Sequence, residues 1–207
     1  MKKLKWLWLV LFSYFFYLML QILLKYIPFN SDIGFLEIKQ TEVTTIPAYL
    51  PIFYIHVYST MFVLLAGFSQ FNSFILKKNK KIHTTIGKIY VYVVLLFAAP
   101  SGIYIGYYAN GGIISQISFI MLGVLWFYFT YKGVTAVKSK QISVHQKMMF
   151  RSFALAFSAI TLRLWKVVLV YFFEPNPIDN YIIISLLGWI PNLILIEYLI
   201  YIKKIKL

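Results

Sequence analysis

Long apolar runs divide the chain, and they constrain its fold more than any other feature of the sequence. A membrane-spanning helix needs about 20 mostly apolar residues, because the hydrocarbon core is about 30 Å thick and a helix rises about 1.5 Å per residue. The chain is 61% apolar and only 13% charged, whereas soluble domains are about 45–50% apolar and about 25% charged. The sequence therefore predicts an all-α, polytopic membrane bundle that forms one transmembrane domain over residues 1–207.

Six runs are long enough to cross a membrane, and turn signals separate them. Asn110-Gly111-Gly112 predicts a tight turn, and Pro100 predicts a kink within the third run. The first run exceeds the core of a signal peptide, which is about 7–15 residues, and no small-residue cleavage site follows it. We therefore interpret it as a retained helix. The predicted spans are residues 6–26, 51–76, 82–108, 113–134, 143–173 and 180–202.

Basic residues cluster on one side of the predicted membrane. With the N-terminus in the cytoplasm, sixteen of the twenty Lys and Arg residues fall on the cytoplasmic side, and five of the six acidic residues fall outside. This pattern follows the positive-inside rule and predicts that both termini are cytoplasmic. The same side would attract anionic lipid headgroups. The sixteen residues are Lys2, Lys3, Lys5, Lys77, Lys78, Lys80, Lys81, Lys88, Lys132, Lys138, Lys140, Lys147, Arg151, Lys203, Lys204 and Lys206.

Composition and motifs exclude several classes of function. The chain contains no cysteine, which excludes disulfides, thiolate zinc sites, iron–sulfur clusters and cysteine nucleophiles. The net charge of +14 is divided among juxtamembrane clusters, so it indicates topology rather than nucleic-acid binding. No P-loop, nucleophile elbow or dinucleotide fingerprint occurs in a suitable context.

Ionisable residues inside the spans are the first candidates for function, because each costs about 2.5–3.5 kcal/mol at the bilayer centre unless it faces the bundle. Four lie near the cytoplasmic ends of spans three, five and six, and we call them the inner layer: His83, His145, Arg151 and Glu197. Ser143 and Gln146 match a capping box, which places His145 in the first turn of its helix. Arg151 and Glu197 lie at similar depth, so we predict an ion pair between spans five and six.

Two ionisable residues lie near the opposite ends of their spans, and we call them the outer layer: His56 and Arg163. Arg163 follows His145 by eighteen residues, about 27 Å along a helix, which brings it to the depth of His56. Both share helix faces with small or polar residues, and this predicts that they point into the bundle. Asn192 on span six completes the set of candidate polar-core residues.

Several short segments follow one another in a distinctive order between His56 and Glu197. They are Ile55-His56, Ala66-Gly67-Phe68-Ser69-Gln70-Phe71, His83-Thr84-Thr85-Ile86-Gly87-Lys88-Ile89-Tyr90, His145-Gln146-Lys147-Met148-Met149-Phe150-Arg151-Ser152, Thr161-Leu162-Arg163 and Trp189-Ile190-Pro191-Asn192. This order resembles the bacterial family of predicted membrane proteins designated DUF2306, in which arginine is commoner where Lys88 and Gln146 stand. The resemblance implies a small polytopic protein of the bacterial inner membrane, and it implies no particular reaction.

Four functions are compatible with these residues. The inner layer could bind an anionic or lipid-like ligand, because spans three and five both begin on the cytoplasmic side with helix N-termini and lysines. Alternatively, His83 and His145 lie at a common depth, as a bis-histidine b-type haem or a quinone-linked redox site requires. Metal-dependent hydrolysis would need Glu197 as a third ligand. The fourth alternative is an accessory protein that acts as a homo-oligomer or with a membrane partner, and whether the chain is an enzyme stays open.

Overall fold

A computed structural model describes residues 2–70 and 79–202, and it confirms the predicted all-α fold. Residues 71–76 of the predicted second span lie outside the described residues, as do Lys77, Lys78, Lys203, Lys204 and Lys206. The helices are α1 Lys2–Lys25, α2 Gln40–Thr45, α3 Tyr49–Gln70, α4 Lys80–Val93, α5 Ala99–Tyr107, α6 Gly112–Lys138, α7 Ile142–Ala156, α8 Ser158–Phe173, α9 Pro177–Leu187 and α10 Ile190–Tyr201.

Five helical segments are long and apolar enough to cross a membrane. They correspond to predicted spans two to six and differ from them by a few residues at their described ends. The α1 helix is 24 residues long and contains a shorter apolar stretch, Phe16–Lys25. The fold therefore provides five to six spans. The five long segments are Tyr49–Gln70, Lys80–Tyr107, Gly112–Lys138, Ile142–Phe173 and Pro177–Tyr201.

Three of these segments contain an irregular turn. A π turn, Val94–Ala98, joins α4 to α5 immediately before Pro100, whose missing N–H group makes the helix rearrange its hydrogen bonds. Phe157 alone separates α7 from α8, and two residues separate α9 from α10 just before Pro191. Breaks at membrane depth need polar partners from neighbouring helices, because lipid offers none.

The chain divides into two compact units, residues 1–51 and 52–207. In the first unit, the predicted loop after α1 contains a 3-10 turn, Gly34–Lys39, followed by α2. The backbone N–H of Phe35 donates to Tyr26 Oη at 3.1 Å. Lys39 is almost fully buried and pairs with Glu42, with 2.6 Å between Nζ and Oε1. These contacts fold the segment onto itself.

The second unit is a helical bundle in which α6 packs along both α5 and α7, while α10 packs along α7. Gly106 allows α5 to approach α6 closely, because a Cβ added there would lie only 3.3 Å from the carbonyl carbon of Phe119. Large exposed side chains such as Phe62 and Leu195 cover the outside, as expected of a surface in contact with lipid. The core consists of Val63, Ala66, Tyr90, Val94, Ala98, Ala99, Trp126, Leu155, Ala156 and Trp189.

Candidate functional site

Helices α4 and α7 meet in register at the inner layer. Tyr90 Oη and Ser152 Oγ lie 2.7 Å apart in this contact. His83 precedes Tyr90 by seven residues, and His145 precedes Ser152 by seven, so each imidazole lies two turns back on the same helix face. The two histidines thus lie at the same distance from one contact between their helices, and we call them the imidazole pair.

A backbone carbonyl orients one member of the imidazole pair. His145 Nδ1 lies 2.8 Å from the carbonyl oxygen of Gly133 on α6. A carbonyl only accepts, so Nδ1 carries the proton, and Nε2 of the neutral ring presents a lone pair. His83 is half-buried, and its Nδ1 is buried with no hydrogen-bond partner in the described part of the chain. The pair therefore has hydrogen-bonding capacity that these contacts do not use.

The predicted ion pair of the inner layer is confirmed. Arg151 donates from Nε and Nη2 to the two carboxylate oxygens of Glu197, with 2.7 Å between Nη2 and Oε2. The guanidinium also lies over the ring of Phe129, 5.8 Å from its centroid. No group of three His, Asp or Glu residues that could hold a metal ion occurs among the described residues. The three-ligand arrangement required for metal-dependent hydrolysis is therefore not formed there.

A chain of buried hydroxyl groups lies two turns from the imidazole pair. Tyr90, Ser152 and Thr130 are at most 1% exposed. Thr130 Oγ1 lies 2.7 Å from Ser152 Oγ and 2.7 Å from the carbonyl oxygen of Trp126. Sequence reasoning did not identify Thr130, although its spacing of three residues from Gly133 places both on one face of α6. These hydrogen-bonded hydroxyl groups join α4, α6 and α7 two helical turns further into the bundle than the imidazole pair.

Each residue of the outer layer bonds to a backbone carbonyl inside the bundle. His56 Nδ1 lies 3.0 Å from the carbonyl oxygen of Ala98, at the end of the π turn, and 3.2 Å from Ser101 Oγ. A Cβ at Gly102 would come within 2.9 Å of the imidazole, so this glycine lets the ring lie against α5. Arg163 donates to the carbonyl of Ala159, one turn earlier in α8.

Asn192 joins two of the helix breaks. Its Nδ2 donates to Thr161 Oγ1 at 2.9 Å and reaches the carbonyl oxygens of Ala154 and Gly188, each at 3.3 Å. Thr161 Oγ1 in turn donates to the Gly188 carbonyl at 2.5 Å. These bonds satisfy backbone groups at the breaks, so they give Asn192 a structural role between α7, α8 and α10.

Long apolar helices with polar side chains bonded inside the bundle define this chain as a multi-pass α-helical membrane protein. A family model described as "Predicted membrane protein (DUF2306)" matches residues 53–200. The chain therefore belongs to this family, and the resemblance drawn from its motifs is confirmed. No curated protein and no solved structure shows significant similarity to the chain.

Proposed function

We propose that this protein binds an anionic ligand, either soluble or lipid-like, at the imidazole pair. The positions of His83 and His145 carry the proposal, since each lies two turns before the hydrogen-bonded Tyr90 or Ser152 on one face of its helix. Both lie at the beginning of a helix, since α4 begins at Lys80 and α7 at Ile142. Helix N-termini present N–H groups and the positive end of the dipole, and a protonated imidazole donates from both nitrogens. His145 Nδ1 already donates to Gly133 and the N–H of Ile82 to Asn79, so a phosphate or carboxylate would accept from Nε2 of a protonated His145 and from the remaining donors.

The charges at this end of the bundle support the proposal. Lys81 and Lys147 lie within two residues of the pair, and Lys88 lies further along α4. Glu197 also belongs to the inner layer, but it already accepts two hydrogen bonds from Arg151. An anionic ligand would therefore meet positive charge that this carboxylate does not neutralise.

Binding of inorganic phosphate to the purified full-length chain, at constant ionic strength, tests this function. Phosphate at ten times its dissociation constant should stabilise the fold by about 1.4 kcal/mol, measured as a rise in unfolding temperature. His83→Gln and His145→Gln should each weaken phosphate binding about tenfold or more, because a charge-assisted hydrogen bond contributes about 1.5–3 kcal/mol. His56→Gln makes the same change in the outer layer and should retain binding. Unchanged affinity in both variants of the pair contradicts the proposal.

A bis-histidine b-type haem, or a related quinone-linked redox site, is the second candidate. The orientation of His145 favours it, because Nδ1 bonded to Gly133 leaves Nε2 free to ligate iron, as in most ligating histidines. The absorbance spectrum of the purified protein distinguishes the two candidates. Reduced-minus-oxidised haem bands that disappear in both His83→Gln and His145→Gln would show that the ligand of the pair is haem and not an anion. A spectrum without these bands leaves the anion as the ligand of the pair.

We further propose that the chain is one transmembrane domain of six spans in the bacterial inner membrane, with both termini in the cytoplasm. The distribution of basic residues and the 24-residue length of α1 support this topology. Reporter fusions after Lys81 and Lys140 should report the cytoplasm, and fusions near Glu42 and Pro177 should report the outside. A periplasmic signal after Lys81 would contradict the topology.

A further inference from the structure

An open cleft of about 330 Å³ lies between the second half of α6 and the first half of α7. None of its lining residues belongs to the imidazole pair. Ser139 and Gln141 line it at the turn between the two helices, whereas Tyr128 and Met148 line it deeper within their spans. Lys132 and Thr135 line it between these two levels, beside the apolar side chains of Ala136 and Val144. The cleft therefore combines polar groups with apolar walls, as an amphiphile with a charged headgroup and acyl chains requires.

Lys132 gives the cleft a positive charge. Its Nζ lies over the ring of Tyr128, 5.9 Å from the centroid, in a cation–π contact that leaves its net charge in place. In the described part of the chain, Lys132 has no carboxylate partner, because the salt bridges found there are Lys39–Glu42 and Arg151–Glu197. A ligand in the cleft would therefore meet an uncompensated cation.

The beginning of α7 offers further donors where the turn between the two helices lines the cleft. The predicted capping box at Ser143 is wrong, because the helix already begins at Ile142 and makes no side-chain capping bond. By contrast, α4 is capped by Asn79, whose side chain accepts from the N–H of Ile82. Ile142 N–H donates to the carbonyl of Lys140, but among the described residues Gln141, which lines the cleft, makes no side-chain capping bond to the N–H groups that follow. An anion can accept hydrogen bonds from such groups.

We propose that this cleft binds the headgroup of an anionic phospholipid from the leaflet in which α6 ends and α7 begins. The phosphate would accept from Lys132, the outer part of the headgroup would lie towards Ser139 and Gln141, and the acyl chains would follow Tyr128 and Met148 into the hydrocarbon. Charge complementarity favours an anionic over a zwitterionic lipid, because no carboxylate offsets Lys132 in the described residues. The site uses none of the residues of the imidazole pair, so it does not depend on the function proposed there.

Native mass spectrometry of the full chain in detergent tests the site, with phosphatidylglycerol and phosphatidylcholine of identical acyl chains as probes. Phosphatidylglycerol should bind several-fold more tightly. Lys132→Gln should weaken its binding about fivefold, since one lysine near an anionic surface contributes about 1 kcal/mol. Lys138→Gln makes the same charge change on the same helix outside the cleft, and it should change the affinity by less than about twofold. Both lysines are exposed, and unfolding temperatures verify that both variants fold.

Four results would overturn the proposal. Equal affinities for the two lipids would show that the cleft does not select an anionic headgroup. Equal losses of affinity in the two lysine variants would indicate that lipid is attracted to the basic surface in general and not to the cleft. Competition by inorganic phosphate as effective as that by phosphatidylglycerol would identify a free anion as the occupant. Loss of phosphatidylglycerol binding in His83→Gln would indicate that the lipid binds at the imidazole pair and not in the cleft. Retained lipid binding in His83→Gln together with lost phosphate binding supports two separate sites.

Discussion

Glu197→Gln should lower the free energy of unfolding by about 1–3 kcal/mol, because it leaves the guanidinium of Arg151 without its charged acceptor inside a span. The pair is bidentate and ties α7 to α10. The side chains of Arg151 and Glu197 are 16% and 46% exposed, so the expected loss lies below the about 3–5 kcal/mol of a fully buried pair. Reversible unfolding in mixed micelles, followed by circular dichroism, measures this loss.

A double variant separates the lost pair from a general effect of the substitution. Arg151→Gln combined with Glu197→Gln removes both charges, so it should be less destabilised than the sum of the two single variants. An additive result, or a Glu197→Gln variant as stable as the natural chain, would mean that the pair contributes nothing to stability.

Gly67→Ala should lower the free energy of unfolding by about 1–3 kcal/mol, because the added methyl group has no space. It would overlap the ring of Phe153 and lie 3.2 Å from Cε2 of Tyr90. Tyr90 is held by its bond to Ser152, and the Phe153 ring packs edge-on against Phe68 at 5.0 Å between centroids. Neither ring can move without disturbing the contact between α4 and α7.

Gly87→Ala is the matched control for this prediction. A Cβ at Gly87 would meet only the far end of the Gln70 side chain, at 3.0 Å from Oε1, and a flexible side chain can move aside. Both substitutions gain the same helix propensity, about 1 kcal/mol in favour of alanine. Unfolding curves should therefore show that Gly67→Ala is clearly less stable than Gly87→Ala. Equal stability of the two variants would contradict the packing described for α3, α4 and α7.

The sequence was sufficient for the five long apolar helices and for one ion pair between them. Apolar runs and helix periodicity predict spans without knowledge of which helices touch, and depth alone predicted the Arg151–Glu197 pair. Depth also predicts His56 at the level of Arg163 and His83 at the level of His145. Such predictions are possible because a membrane restricts each polar group to one level along its helix.

The partners of the histidines could not be predicted from the sequence. His56 bonds to the carbonyl of Ala98 and His145 to that of Gly133, and backbone carbonyls have no signature in a sequence. Pro100 predicted a kink, but only the structure shows a π turn that ends at Ala98. Thr130 escaped notice because a single threonine in an apolar span is unremarkable until its hydrogen-bond partner is known.

The central claim is that His83 and His145 form one anion site, and the chain's three histidines allow a direct measurement. Protein labelled with ¹⁵N in the histidine rings, and produced without a histidine tag, should give one set of imidazole signals for each of the three residues. Titration with inorganic phosphate should shift the signals of His83 and His145 along a single binding curve and leave those of His56 unchanged. Signals that do not respond, or curves for His83 and His145 with different dissociation constants, would contradict the claim.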